Sequence, residues 1–417
     1  MKISLLCLLF AGVFCRVFGD EQYITGIIKL SAHRHNAELY YILFKSRDQN
    51  PKAPLIWHFE GGPGQSSMHG LFLQNGPFRL QKDLSLQYNE FSFNNIADVL
   101  YVDQPVGTGF SNCTNTSWIP NGEGQLVSDL VSFLQSFLKE HEEYKGRPLF
   151  LNSQGYGAHF VLPFAEILAS NMVRYANLQG ITLGNPWIRP ELQLTSLPGF
   201  SRSIMNCSEF KYIAGLYGFI IVSIFIDLDL DIAAYDLIQI ATAILIGVHN
   251  HEYNTQDVRI RCEKGTCYYN FTELNQFLDK GEVRNAMNTA NRPFNYSSHE
   301  VFLRFLTKNE FLSDKSASLI KILEKNVIPI YIYGGVYDWT MNSLGLDQVV
   351  GSLHWDGRDK INSMEWKSWY SDGTMQGKYK HWKGFYYVQV INAGHYVGMD
   401  VPSFTLDLMS RIIYGAR

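Results

Sequence analysis

The sequence predicts an α/β fold with a central, mostly parallel sheet and an inserted helical lobe. Short apolar and β-branched runs alternate with segments of helical periodicity in the first and last parts of the chain. This alternation is typical of a parallel sheet covered by helices on both faces. Between residues 186 and 326 the alternation stops and helical patterns dominate. A chain of 417 residues is long enough for one large core that carries such an insertion.

The predicted strands are short runs of β-branched, aromatic and aliphatic residues. They cover residues 23–30, 38–44, 54–59, 99–103, 148–152, 178–183, 327–333 and 385–390. Apolar residues at i, i+3, i+4 and i+7 predict a helix over 127–140. A second helix runs to about Ser170, and an amphipathic helix begins near Ser403. The predicted domains are a signal peptide at 1–19, a core formed by 20–185 and 327–417, and a helical cap lobe at 186–326.

Within the predicted cap lobe, residues 212–226 are almost continuously apolar and are followed by Asp227, Asp229 and Asp231. A membrane-spanning helix needs about 20 apolar residues and rarely contains acids. We therefore expect a buried or lid-forming helix here, and no membrane span.

Composition and charge exclude several classes of protein. Hydrophobic residues make up 46% and charged residues 18% of the chain, which is typical of a folded globular protein rather than a disordered one. The formal net charge of −4 provides no basic surface for nucleic acid. No pair of His or Cys residues stands at ligand spacing near the cysteines of the insertion. We therefore expect neither a metal nor a cofactor, and no nucleic-acid partner.

The N-terminus has the pattern of a secretory signal peptide. A basic start at Lys2 precedes an apolar run over residues 5–14, and Gly19 stands directly before two acidic residues. The alternative is a membrane anchor, but the apolar run is shorter than the roughly 20 residues that span a bilayer. We expect cleavage near Gly19 and a secreted, lysosomal or other endomembrane-lumenal protein. The C-terminus carries no retention signal that would separate these destinations.

Four cysteines lie beyond the predicted signal peptide. Cys262 and Cys267 flank a short loop that a disulfide would close, whereas Cys113 and Cys207 either pair or stay free. Five Asn-x-Ser/Thr sequons fit a glycosylated surface. They begin at Asn112, Asn115, Asn206, Asn270 and Asn295.

A strand, a tight turn and a helix start are predicted around Gly155. In a serine hydrolase with this layout the nucleophilic side chain occupies the apex of the turn. Here the apex residue is Gly155, which has no side chain. Ser153 lies two residues earlier, roughly 6–7 Å along the chain from the apex. Because a nucleophile must come within about 2.6–3.2 Å of its base, Ser153 could replace it only in a remodelled turn.

Two further residues with catalytic chemistry follow predicted strands. Asp338 comes after the strand at 327–333, and His395 comes after the strand at 385–390. Functional groups collect at the carboxyl ends of strands in sheets of this kind. The order of turn, Asp and His is that of the triad in α/β-hydrolases. In such a site, Asp338 orients His395, and His395 carries the proton between nucleophile and leaving group.

Several motifs carry a family resemblance, in order from residue 23 to the C-terminus. They are Gly61-Gly62-Pro63-Gly64-Gln65-Ser66-Ser67, Asn75-Gly76-Pro77-Phe78, Asp103-Gln104-Pro105-Val106-Gly107-Thr108-Gly109-Phe110-Ser111, Tyr156-Gly157-Ala158-His159-Phe160, Asn342-Ser343-Leu344-Gly345 and Ala393-Gly394-His395. With these motifs the chain resembles secreted serine carboxypeptidases of the cathepsin A and vitellogenic-carboxypeptidase-like group. The resemblance implies the α/β-hydrolase fold and an activity that removes C-terminal residues from peptides.

The same resemblance marks where this sequence departs from the family. The family turn reads Gly-Glu-Ser-Tyr-Ala/Gly-Gly, so Gly155 stands at the position of the nucleophilic Ser and Gln154 at that of the Glu. The oxyanion hole implied by the family uses the backbone N–H groups of Gly62 and Tyr156, and both residues are present. The family Cys after Gly-Pro-Gly is Gln65 here, so the resemblance implies that its bridge is absent.

The implied pocket for the substrate's terminal carboxylate is also altered. The family uses an Asn and two Glu residues there, and these positions hold Glu60, Gln74 and Gln154. The two glutamines could still donate hydrogen bonds to a carboxylate. An ionised Glu60 would repel it by about 1–4 kcal/mol at contact, unless burial raises the pKa of Glu60.

We therefore expect a secreted serine-carboxypeptidase-like protein that is impaired or inactive as a peptidase. An alternative is an active carboxypeptidase or acyltransferase that uses Ser153. A third possibility is a non-enzymatic binding or carrier protein. The expected partner is a peptide C-terminus or another small ligand in the cleft, and the chain could also bind a protein partner or a second copy of itself.

Overall fold

A computed structural model describes residues 17–30, 37–246, 253–262, 269, 271–325 and 328–415. Most of the predicted signal peptide, residues 1–16, lies outside this set, as do Cys267 and Asn270. Just before the predicted cleavage site, Phe18 is buried against the rings of Phe44, Phe72 and Phe78.

The described residues form fourteen strands. In chain order these are β1 (Tyr23–Lys29), β2 (Glu38–Phe44), β3 (Leu55–Phe59), β4 (Phe78–Leu80), β5 (Leu86–Tyr88), β6 (Asp98–Val102), β7 (Pro148–Gln154), β8 (Asn177–Gly184), β9 (Tyr253–Asn254), β10 (Asp257–Arg261), β11 (Ile330–Gly335), β12 (Lys367–Ser371), β13 (Thr374–Trp382) and β14 (Phe385–Val390).

Ten of these strands form the central sheet, in the order β1-β2-β6-β3-β7-β8-β11-β14-β13-β12. The six strands from β6 to β14 in this order run parallel to one another. The strands at both edges are antiparallel. The predicted mostly parallel sheet is confirmed. The antiparallel strands β12 and β13 were not predicted, because their Lys, Ser and Trp residues lack a continuous apolar run.

The described residues also form fourteen α-helices. They are α1 (Glu123–Glu140), α2 (Gly157–Ala169), α3 (Pro190–Thr195), α4 (Leu197–Ile204), α5 (Glu209–Asp227), α6 (Asp231–Ile246), α7 (Thr272–Leu278), α8 (Gly281–Ala286), α9 (His299–Thr307), α10 (Ser316–Lys325), α11 (Ser343–Ser352), α12 (Arg358–Ser363), α13 (Val397–Asp400) and α14 (Pro402–Tyr414). Eight of them, α3 to α10, lie within residues 186–326, where the sequence predicted helices.

Local sequence explains the bounds of several helices. Helix α1 buries Leu126, Leu130, Phe133 and Phe137 along one face, in agreement with the predicted periodicity. It begins at Glu123, four residues before the prediction. Helix α14 starts with a proline in its first turn, where the missing N–H costs nothing, and is followed by a glycine with a positive φ angle.

Helices α5 and α6 pair along the apolar segment of the cap lobe. The side of α5 that holds Gly215, Phe219 and Val222 is buried, and Leu245 and Ala241 of α6 lie against its glycines. By length and composition α5 could cross a membrane, and only 17% of its apolar window is buried. Most of α5 is therefore at the surface, so the first half of the expectation, a buried helix, is wrong, and its alternative, a lid-forming helix, stays a prediction.

The functional end of the sheet depends on a close backbone contact between two loops. Gly335 ends β11, and a Cβ atom there would lie 2.1 Å from the carbonyl oxygen of Gly394, in the loop after β14. Only glycine leaves room for this approach. The contact brings together the loops that carry Asp338 and His395.

We predict that Gly335→Ala lowers the free energy of unfolding by about 3 kcal/mol, because the new methyl group overlaps backbone atoms that cannot move independently. Gly124→Ala is the matched control, since Gly124 lies in α1, where an added Cβ would meet no atom within 4 Å. The free energy of unfolding of Gly124→Ala should rise by about 0.5–1 kcal/mol, because alanine has a higher helix propensity than glycine. Urea and thermal unfolding would measure both, and equal midpoints for the two variants would refute the packing argument.

Candidate active site

A cleft of about 160 Å³ opens at the carboxyl ends of the parallel strands. Its walls come from the loops after β3, β7, β11 and β14 and from the cap lobe. The lining residues are Glu60, Gly61, Gly62, Gln65, Gln154, Gly155, Tyr156, Trp187, Gln256, Phe311, Thr340, Met341 and His395. Most of the predicted site residues therefore line one cleft, and Asp338 contacts His395 from behind its wall.

Asp338 and His395 are in direct contact. His395 Nδ1 lies 2.7 Å from Asp338 Oδ2, and Asp338 is fully buried. The Nδ2 group of Asn185 donates to the same Oδ2 at 2.8 Å, and the backbone N–H of Met341 donates to Oδ1 at 3.1 Å. This set of donors holds the carboxylate in place, so that His395 presents its Nε2 to the cleft.

The turn after β7 brings Gly155 to the other side of His395. Gly155 has a φ angle of +58°, in the left-handed region. A Cβ atom at this position would lie 3.2 Å from His395 Nε2. Backbone hydrogen bonds from Gly155 to Gly184 and from Trp187 to Gly155 hold the turn. A side chain at the apex would therefore reach the base, but the residue there has none.

Ser153 occupies a different environment. Strand β7 continues through Gln154, two residues beyond its predicted end, so Ser153 is part of the sheet and pairs with Phe59 of β3. Its side chain is buried, and its Oγ makes no hydrogen bond with a described residue. A Cβ atom added to Gly157, at the start of α2, would lie 3.2 Å from the Ser153 Cβ. Ser153 does not line the cleft.

The Gly61–Gly62 segment crosses directly over the turn. A Cβ atom on Gly61 would lie 2.7 Å from both the Gln154 carbonyl oxygen and the Tyr156 nitrogen. Gly62 has a φ angle of +111°. Among the described residues, the backbone N–H groups of Gly62 and Tyr156 find no acceptor. Both residues line the cleft with His395, which is compatible with the oxyanion hole that the resemblance implies, and this role stays a prediction.

A buried ion-pair cluster anchors Tyr156 from below. The Tyr156 hydroxyl donates to Glu123 Oε1 at 2.6 Å, and His159 Nδ1 lies 2.9 Å from the same oxygen. Lys315 of the cap lobe reaches Glu123 Oε2 at 2.5 Å. Burial raises the pKa of Glu123, but the contacts with His159 and Lys315 outweigh burial and lower it. The ionised Glu123 thus ties the turn to the cap lobe.

Glu60 is buried at the floor of the cleft in contact with two histidines. His69 Nδ1 and His58 Nε2 lie 3.0 and 3.1 Å from Glu60 Oε1. Burial favours a higher pKa for Glu60, as the sequence suggested. The contacts with His69 and His58 have the larger combined effect and lower the pKa of Glu60 to about 2.

The two glutamines of the predicted carboxylate pocket are engaged with the protein itself. Gln74, at the end of a short π-helical segment, donates from Nε2 to Glu60 Oε1 at 2.7 Å. Gln154 donates from Nε2 to the carbonyl oxygen of His395 at 2.7 Å. Neither amide N–H₂ group is wholly available to a ligand carboxylate.

Sequence reasoning missed several residues of the site. Asn185 directly follows β8, so its strand-end position was a signal that could have identified it. His58 lies within β3, where its neighbours suggested only a core strand. Trp187 and Phe311 come from the inserted lobe, and no local pattern places such residues over a distant turn.

The remaining predicted features have mixed outcomes. Cys113 and Cys207 are free thiols, so they do not pair with each other. The predicted Cys262–Cys267 bridge stays a prediction, because Cys267 lies outside the described residues. No group of three or more His, Cys, Asp or Glu side chains suited to a metal occurs in the part of the chain that the structure describes.

We predict that the Asp338–His395 hydrogen bond gives a proton NMR signal far downfield of the backbone amides, from Nδ1–H. Asp338→Asn should remove or strongly shift this signal, because the charged acceptor is lost. Asp347→Asn is the matched control, since Asp347 of α11 accepts hydrogen bonds from the Tyr387 and Gln389 side chains of β14, away from the cleft. A signal that survives Asp338→Asn and disappears in the control would refute the assignment.

Comparison with known proteins identifies the family of this chain. The family model for serine carboxypeptidases (peptidase S10) matches residues 19–415. Serine carboxypeptidase-like 47 of Arabidopsis thaliana is 30% identical over 395 residues, which cover 92% of this chain and 77% of that protein. Carboxypeptidase Y of Candida albicans is 26% identical over 412 residues, covering 95% and 73% of the two chains.

Solved structures show the same fold. The prohormone-processing carboxypeptidase Kex1 of Saccharomyces cerevisiae superposes with a TM-score of 0.81 at 21% identity, over 94% of this chain and 91% of that one. The predicted α/β-hydrolase fold with its large, mostly parallel sheet is thereby confirmed. Because the family model matches nearly the whole length of this chain, the chain belongs to the serine carboxypeptidase family.

Proposed function

We propose that this protein is a serine-carboxypeptidase-like protein without peptidase turnover, and that its cleft binds a peptide or another small ligand. One observation carries the proposal: the apex of the turn beside His395 is Gly155, so no oxygen is present where the base could activate it. Loss of the nucleophile in a triad costs on the order of 10⁶-fold in rate. The oxyanion arrangement alone would leave only residual catalysis.

The alternative of an active enzyme that uses Ser153 has less support. Ser153 lies inside β7, its Oγ is buried, and its Cβ lies close to Gly157 at the start of α2. Turning this side chain towards His395 would require the last residues of β7 to leave the sheet, with loss of the pairs to β3 and β8. A purely structural or carrier role is compatible with the fold, but it leaves the ordered Asp338–His395 pair and the open cleft without a use.

We predict that Gly155→Ser gives the protein esterase activity on p-nitrophenyl acetate, at least a hundredfold above wild type. A serine hydroxyl there would come within reach of His395 Nε2, after the imidazole ring gives way by a few tenths of an ångström. The positive φ angle costs a serine about 1 kcal/mol, which the fold tolerates. An acetate ester carries no carboxylate, so the result does not depend on the pocket around Glu60.

Two control variants make this test specific. Gly155→Ala adds the same Cβ without a hydroxyl and should stay at the wild-type rate. Ser153→Ala combined with Gly155→Ser should keep the gained activity. Fluorophosphonate labelling should mark Gly155→Ser and spare wild type. Wild-type turnover or labelling that Ser153→Ala abolishes would overturn the proposal in favour of the active enzyme.

The proposed location is outside the cell or in the lumen of the endomembrane system. The asparagines of four sequons, Asn112, Asn115, Asn206 and Asn295, are exposed on the surface. We predict that the protein recovered from eukaryotic culture medium loses mass on treatment with an N-glycosidase. Replacing these four asparagines with glutamine should remove most of that loss. Cytosolic retention with no glycan would contradict this location.

A further inference from the structure

The buried carboxylate of Glu60 is surrounded by donors on one side only. Its Oε1 accepts from Gln74 Nε2 at 2.7 Å, and His69 Nδ1 and His58 Nε2 lie 3.0 and 3.1 Å away. Its Oε2 is buried as well and has no hydrogen-bond partner among the described residues. A buried acceptor without a donor is unfavourable by about 1–3 kcal/mol, and by more when the group is charged.

The hydrogen bonds around His58 determine which of its nitrogens carries the proton. The Nδ2 groups of Asn152 and Asn75 lie 2.7 and 3.2 Å from His58 Nδ1. The oxygens of these two amides already accept from the hydroxyls of Thr182 and Tyr101. Both amides therefore present N–H to His58, so Nδ1 accepts and Nε2 donates. His58 therefore donates its Nε2–H to Glu60 Oε1, and this oxygen must accept the hydrogen bond. Accepting it stabilises the carboxylate form of Glu60.

The two glutamines that the resemblance assigns to a ligand carboxylate each donate a hydrogen bond within the protein. Gln74 donates to Glu60, and Gln154 donates to the His395 carbonyl oxygen. In effect, the carboxylate of Glu60 is bound where the resemblance to the family placed a substrate carboxylate. A second carboxylate would meet the negative charge of Glu60, and Gln74 and Gln154 each already donate a hydrogen bond within the protein. The cleft wall would still offer it the neutral amide of Gln65 and the two backbone N–H groups of Gly62 and Tyr156.

The rest of the cleft favours positive charge. Its lining includes no Lys or Arg, and the polar groups Gln65, Gln256 and Thr340 are neutral. Trp187 and Phe311 supply aromatic surface, and the face of an aromatic ring attracts cations. The ring of Tyr156 is itself stacked against His159 and Phe311. Asp338 behind His395 adds further negative charge, whereas Glu123 beneath Tyr156 is paired with Lys315.

We propose that the cleft binds ligands through a cationic group, an ammonium or guanidinium, and discriminates against free carboxylates. The inference rests on the proposed function, because it assigns the ligand class of the binding cleft. The cation supplies the donor that Glu60 Oε2 lacks and packs against the aromatic wall. A peptide would accordingly enter with an amine or a basic side chain rather than with its C-terminal carboxylate.

The test compares benzylammonium, benzoate and neutral benzamide as probes of wild-type protein at pH 7, by NMR titration that follows the His395 ring signals. We expect benzylammonium to bind at least tenfold more tightly than benzoate. Glu60→Gln should remove this preference: it should weaken the binding of benzylammonium at least tenfold and leave the binding of benzamide unchanged. Asp347→Asn, which removes a carboxylate away from the cleft, is the matched control and should keep the wild-type order.

Each outcome decides the inference without reference to turnover. Wild type that binds benzoate as tightly as benzylammonium, or binds neither, overturns it even if Glu60→Gln fails to fold. An unchanged preference in a folded Glu60→Gln variant also overturns it. Peptide hydrolysis by the wild-type protein would instead refute the proposed function. The charge preference of the cleft would then still be decided by the titration.

Discussion

The left-handed turn at Gly155 is the constraint on which the rest of the site depends. The chain leaves the central strand β7 and enters α2 within two residues, which requires a φ angle of +58° at the apex. This turn is covered by Gly61, which has no room for a side chain, and faces His395. The backbone N–H of Tyr156 and the wall of the cleft that faces His395 take their geometry from it. Glycine adopts this conformation without strain, so the fold keeps the architecture of the turn while the hydroxyl is absent.

Two buried glutamates support the cleft from opposite sides, and each is stabilised as an anion by histidines. Glu123 holds Tyr156 and the cap-lobe residue Lys315, whereas Glu60 holds His58 and His69. Burial alone would raise the pKa of both carboxyls, but the partners outweigh burial and lower both pKa values. The pairs differ in one respect that bears on ligands. Both oxygens of Glu123 have partners, and one oxygen of Glu60 has none among the described residues.

The cap lobe completes the cleft and connects it to the surface hairpin of α5 and α6. Phe311 forms part of the cleft wall, and Tyr235 of α6 packs against Phe302 and Phe311. The backbone N–H of Leu312 donates to Asp231 at the start of α6. The aromatic wall that would contact a ligand is therefore held by helices far from it in the sequence.

The sequence by itself determined the fold class, the Gly155 turn, and the loops that bear Asp338 and His395. These features follow from local signals: strand period, glycine positions and residues directly after strands. It could not determine the direction of the Glu60 pKa, because burial and the two histidines act in opposite senses and His69 reaches Glu60 only through the folding of the π-helical segment. It also could not place Phe311 over the turn or show that Gln74 and Gln154 are already paired. The contacts of Glu60 join residues that are close in the sequence but depend on how the segment after β3 folds back over it. The contacts of Gln154 and Phe311 join residues far apart in the sequence, and they exist only once the parallel strands bring their carboxyl ends to one edge of the sheet.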